Sequence, residues 1–127
     1  MAWLFSLSVE CGSPAAATHV ARFLDGRSVG DTTLRARADG DWVIALPQDV
    51  NLLNNNLLTD ALADAPPFRY ALAGLEVDRA REWDELPGET FDDPAWGSIV
   101  MSDEAWLHAG QPAGFAAFRP AYRVRRP

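Results

Sequence analysis

The hydrophobic period of the chain changes at Ser13-Pro14, and that change limits the folds open to it. Before it, from Ala2 to Glu10, Trp3, Phe5, Leu7 and Val9 alternate with Ser6, Ser8 and Glu10, the period-2 pattern of a strand. Leu4 breaks the alternation, as expected where a strand end is covered on both faces. After it, Ala16, Val20, Phe23 and Leu24 fall on one helical face. Ser13 supplies a capping oxygen, and Pro14 stands at the first helical position, where its missing N–H has no partner to lose. Asp25-Gly26 ends the helix, with glycine free to adopt the left-handed conformation.

The following segments extend this strand–helix start. Asp31 to Leu46 reads as a hairpin. A two-residue Asp39-Gly40 loop would set Arg37 opposite Trp42 and Arg35 opposite Ile44. A three-residue loop, Ala38-Asp39-Gly40, pairs Arg37 with Asp41, Ala36 with Trp42 and Leu34 with Ile44, so that one face is apolar and the other polar; this register is the expected one. Pro47 closes the hairpin, and Asp49 to Ala63 reads as a second helix, with Leu53, Leu57, Leu58, Ala61 and Leu62 on one face. Pro66-Pro67 stops it, and Phe68 to Val77 is a strand with Gly74 as a candidate bulge. The order β-α-β-β-α-β is that of a ferredoxin-like sandwich, an α+β fold with a mostly antiparallel sheet and two main helices. Residues 78–96 form an acidic loop without clear period. A C-terminal extension, 97–127, is expected to add a short strand from Gly97 to Met101, a short helix capped by Ser102, and a last strand from Ala121 to Arg125. The whole reads as one domain, 1–127, built from the 1–77 unit, the loop and the extension.

Composition narrows the function classes. No apolar run approaches the roughly 20 residues that span a bilayer, and Met1 to Phe5 lacks the basic lead of a signal peptide, so a cytoplasmic chain is expected. A single cysteine, Cys11, excludes an internal disulfide. All eleven basic residues are arginine and alanine is abundant, which fits a GC-rich bacterial coding bias. The net charge of −7 opposes phosphate-based nucleic-acid binding and favours a basic partner.

No catalytic signature is present, and no cofactor is expected. Asp92, Asp93 and His108 lack the spacing of known metal sites, and adjacent aspartates before Pro94 are the usual composition of a solvated turn. A carboxylate pair drawn from the acidic segment could serve glycoside hydrolysis, but catalytic carboxylates need burial to shift their pKa. Cys11 with His19 would make a nucleophile–base pair only if the fold joins them, and the ordinary reading is a buried thiol and a helix-surface imidazole.

The marked anomaly is Glu76 to Glu104, where ten acids face two arginines. Trp83, Trp96 and Trp106 lie in or beside the run. Such a segment either pins a loop to the open sheet face or meets a partner, its tryptophans serving as anchors. The tail arginines, from Arg119 onward, could neutralise part of it internally. In size, near-absence of cysteine and the run Trp83-Asp84-Glu85 through Asp92-Asp93-Pro94-Ala95-Trp96, the chain resembles the small immunity proteins of bacterial polymorphic toxin systems. That resemblance implies a cytosolic inhibitor that covers the active site of a basic toxin, with Glu82, Trp83, Asp84, Glu85, Asp92, Asp93 and Trp96 at the interface. A small ligand-binding domain or enzyme, with its pocket between the sheet and the acidic loop, is the alternative, and a homodimer burying the open face is a third reading.

Overall fold

The computed structural model describes residues 5–48, 55–75, 82–88, 91 and 97–126. Among these residues the chain is α+β, with one antiparallel sheet of eight strands. In chain order the elements are β1 (Phe5–Glu10), α1 (Pro14–Leu24), β2 (Ser28–Val29), β3 (Thr32–Asp39), β4 (Trp42–Pro47), α2 (Asn55–Asp60), β5 (Tyr70–Leu75), a 3-10 helix (Trp83–Gly88), β6 (Ser98–Ser102), α3 (Asp103–His108), β7 (Ala116–Arg119) and β8 (Tyr122–Arg125). The sheet order is β2-β3-β4-β1-β5-β6-β8-β7. The strands expected of the C-terminal extension pair into the same sheet, which therefore has eight strands among the described residues where the ferredoxin-like β-α-β-β-α-β reading gave four. The last three strands join it beside β5. The sequence reading missed the two-residue β2 and the edge strand β7. Among the described residues no helix is long and apolar enough to cross a membrane.

The first face of the sheet holds the larger core. Ser13 caps α1 by accepting the Ala16 N–H at 3.2 Å, and Gly26 leaves the helix at φ 80°. α1 buries Ala17, Val20, Ala21 and Leu24 on this face, and α2 with the turn after it adds Leu58, Ala61 and Leu62. Leu7 and Val9 of β1, Val43 and Ala45 of β4, Ala71 and Ala73 of β5 and Val100 of β6 point up to meet them. Residues 49–54, expected to begin the second helix, lie outside the described residues.

The β3–β4 hairpin takes neither register weighed from the sequence. Its loop is Gly40-Asp41, with Asp39 opposite Trp42, Arg37 opposite Ile44 and Arg35 opposite Leu46. Gly40 is left-handed (φ 60°), as a two-residue loop with glycine first requires. The expectation failed because 42–47 is apolar on both faces, so its parity is undetermined by sequence. The smaller set, Val43, Ala45 and Pro47, faces the helices, where α1 packs close to the sheet. Trp42, Ile44 and Leu46 go to the other face beside the arginines. Gly74 is not a bulge within the β1–β5 pair: it faces Ser6 in continuous register.

The second face is covered rather than open where the 3-10 helix and α3 lie on it. Tyr70, Leu72, Ile99 and Met101 from the sheet pack with Leu86 of the 3-10 helix, Phe91, and Ala105 and Ala109 at α3; Trp42, Trp83, Trp106 and Phe115 pack around them half-buried. This cover explains why Ser6, Ser8 and Glu10, the polar side of the β1 alternation, are also buried.

Candidate partner-binding surface

The second-face cover is fastened at one point by a column of side chains that begins with a buried carboxylate. Glu10, at the end of β1, is 2 % exposed. Its Oε1 accepts the Gly12 N–H and its Oε2 accepts the Arg69 Nε–H at 2.6 Å. The backbones meet as well, with the Arg69 N–H donating to the Glu10 carbonyl at 2.8 Å. Gly12 is left-handed (φ 85°), a conformation that favours glycine, and a Cβ there would press on the Arg69 side chain at 3.2 Å.

Above the ion pair, the Arg69 guanidinium lies 3.8 Å from the centre of the Trp83 ring. His108, from the end of α3, stacks on the same indole at 4.0 Å with 3° between the planes. Two groups at these distances cannot share one side of the ring, so the indole is sandwiched between them. His108 Nε2 also lies 2.9 Å from the Trp83 carbonyl oxygen. Tyr70 packs beside Trp83 and edge-on against Trp42 (ring centres 6.3 and 5.6 Å). Burial first, then the carboxylates of Glu10 and Glu82, push the Tyr70 hydroxyl well above the usual phenol range, against the opposing pull of Arg69.

With Trp83 and Leu86 turned inward, Asp84 and Glu85 of the 3-10 helix and Glu82 just before it are all exposed. Glu85 Oε1 reaches back to the Glu82 N–H at 3.4 Å. The structure thus brings together four of the residues expected at an interface, Glu82, Trp83, Asp84 and Glu85. It gives them different surroundings: the three acids face solvent, while both faces of Trp83 are occupied within the chain. Asp92, Asp93 and Trp96 lie outside the described residues.

Among the described residues the basic tail meets the acidic segment at Asp103. Arg123 pairs with Asp103 at 3.2 Å and lies 3.9 Å over the Trp106 ring, whose Nε1–H donates to the Pro112 carbonyl. Arg119 instead donates to the carbonyls of Leu62 and Ala65, and Arg126 pairs with Asp60. Both hold the α2 segment to the sheet.

The other sequence candidates are separated by the fold. Cys11 is buried and His19 is exposed on α1. Burial, then Glu10 and Asp41, push the Cys11 thiol up to about 12, so it remains protonated and non-nucleophilic at neutral pH. Among the described residues no group of three or more His, Cys, Asp or Glu is placed to hold a metal ion. Sequence reasoning missed the Glu10–Arg69 pair and the stacking role of His108. The residues of the pair stand 59 positions apart, and only the β1–β5 register joins them. No family model, curated protein or solved structure matches the chain.

Proposed function

We propose that the chain is a binding module for a basic protein, of the kind that bacterial immunity proteins provide against a toxin's cationic active cleft. The observation that carries this reading is the 3-10 helix itself. Leu86 is buried and Trp83 is clamped between Arg69 and His108, so Glu82, Asp84 and Glu85 project from a pinned element and not from a loose loop. A charge array held in place before contact loses less entropy on binding and steers a cationic partner. In this reading the acids make the contact and Trp83 holds them in position. We also read β1, α1, β3, β4, α2 and β5 as a ferredoxin-like unit to which the later strands are added; the order β3-β4-β1-β5 within the sheet supports it.

The test is a purified basic, toxin-like product of an adjacent gene, measured against the wild type and against Glu82→Gln/Asp84→Asn/Glu85→Gln. The triple variant should associate at least about tenfold more slowly at low salt, and the wild-type rate should fall as ionic strength rises. An unchanged rate in the triple variant would sink the proposal for this surface.

A further inference from the structure

Two large apolar side chains are markedly exposed among the described residues, Leu46 (40 %) and Leu107 (58 %), and each stands in a patch of opposite charge. Leu46 lies directly across from Arg35 on the β3–β4 hairpin; Arg37 follows two residues along β3. Both arginines are exposed, and neither is ion-paired among the described residues. Leu107 lies one turn after exposed Glu104 on α3, next to His108, whose stack on Trp83 joins α3 to the acids of the 3-10 helix. By strand alternation the arginine patch is on the second face of the sheet, the same face that carries the 3-10 helix and α3.

We propose that the chain forms a two-fold homodimer in which the Leu46–Arg35–Arg37 patch of each copy seats on the Leu107–Glu104–Asp84 patch of the other. Two different patches on one face are self-complementary under a two-fold axis lying in the interface plane, perpendicular to the line between them. The contact then forms twice, once in each direction, and the assembly closes. Shape agrees with charge. Among the described residues the added layer of helices stands on one side of this face and none of it lies over Leu46, so each copy's layer meets the other's exposed β3–β4 strands. Each copy carries a net −7, and the resulting repulsion is largely screened beyond about 8 Å at physiological salt, whereas the opposed patches act in contact. The dimer does not depend on the basic-partner reading. It uses the same ridge, however, so a basic partner and a second copy would exclude each other.

Sedimentation of the protein alone tests this. The wild type should dimerise at concentrations of roughly 10–100 µM, as a modest interface allows. Arg35→Glu/Arg37→Glu and Asp84→Arg/Glu104→Arg should each weaken self-association at least about tenfold through like-charge contacts. Mixed in equal amounts, these two weakened variants should recover it, because each then opposes acid to base at both contacts. Leu46→Asn, which keeps every charge, is the second probe and should weaken the dimer several-fold. A monomeric wild type across that range, a charge variant that dimerises like the wild type, or a mixture that stays monomeric would each overturn the proposal.

Discussion

The two faces of the sheet bury apolar surface by different means. On the first face, the 11-residue α1 lays a regular stripe of Ala, Val and Leu over the sheet, where Leu7, Val9, Val43 and Ala71 lie in the same core, and α2 with the turn after it adds Leu58, Ala61 and Leu62. On the second, the cover is a 3-10 helix and a six-residue α-helix, too short to be stable on their own propensity. Tryptophan, tyrosine, histidine and a buried ion pair supply what helix length does not. Each aromatic contact adds about 0.5–1.5 kcal/mol and a cation over an indole about 0.5–2 kcal/mol. A face assembled from such discrete contacts depends on a few residues, whereas a stripe of aliphatics spreads its stabilisation widely.

Leu24→Ala is the sharpest test of the first face. Leu24 is fully buried, and the substitution should cost about 2–5 kcal/mol by urea denaturation, with the whole chain losing stability together. A loss confined to α1, seen as local hydrogen exchange, would break the picture of one aliphatic core.

Arg69→Ala should follow, at about 3 kcal/mol, because it strands the Glu10 carboxylate away from solvent and removes the cation from Trp83. Trp83→Ala leaves that ion pair intact and should cost less, about 2 kcal/mol, while speeding amide exchange in 82–88 without affecting β1 or β5. If the two variants cost the same, the ion pair would not be the base of the column.

The smallest effect concerns pH. The folded thiol of Cys11 titrates at about 12, against 9.0 when unperturbed. Between those values the unfolded chain binds fewer protons than the folded one, so this group's contribution to stability is complete below about pH 9 and falls as pH rises toward 12. Cys11→Ala should flatten the decline in urea midpoint between pH 8 and 10; an unchanged slope would mean that the thiol is not held protonated by the first-face core.

The same division explains what could be read beforehand. α1 was legible to its caps because Ser13, Pro14 and Gly26 act on their own neighbours, and α3 was legible from Ser102, Asp103 and Gly110 for the same reason. β7 was not, since Ala116 to Arg119 alternates too weakly to stand apart from a loop. The 3-10 helix was hidden by Pro87 and Gly88, which look like loop residues. In the candidate site the three acids could be identified as exposed charge, but the clamp on Trp83 could not. It joins Glu10 of β1, Arg69 just before β5, Trp83 of the 3-10 helix and His108 of α3, and no local pattern connects them.

What the amino-acid sequence determined by itself was the set of elements with strong local chemistry: capped helices, alternating strands and a dense run of acids. Tertiary structure alone decided which face of 42–47 turned inward, which arginine met Glu10, and whether Trp83 was free. The reason is that strand parity and cross-sheet pairing are settled by competition among faces of similar hydrophobicity. Packing against the rest of the chain, and not any residue's own preference, resolves that competition.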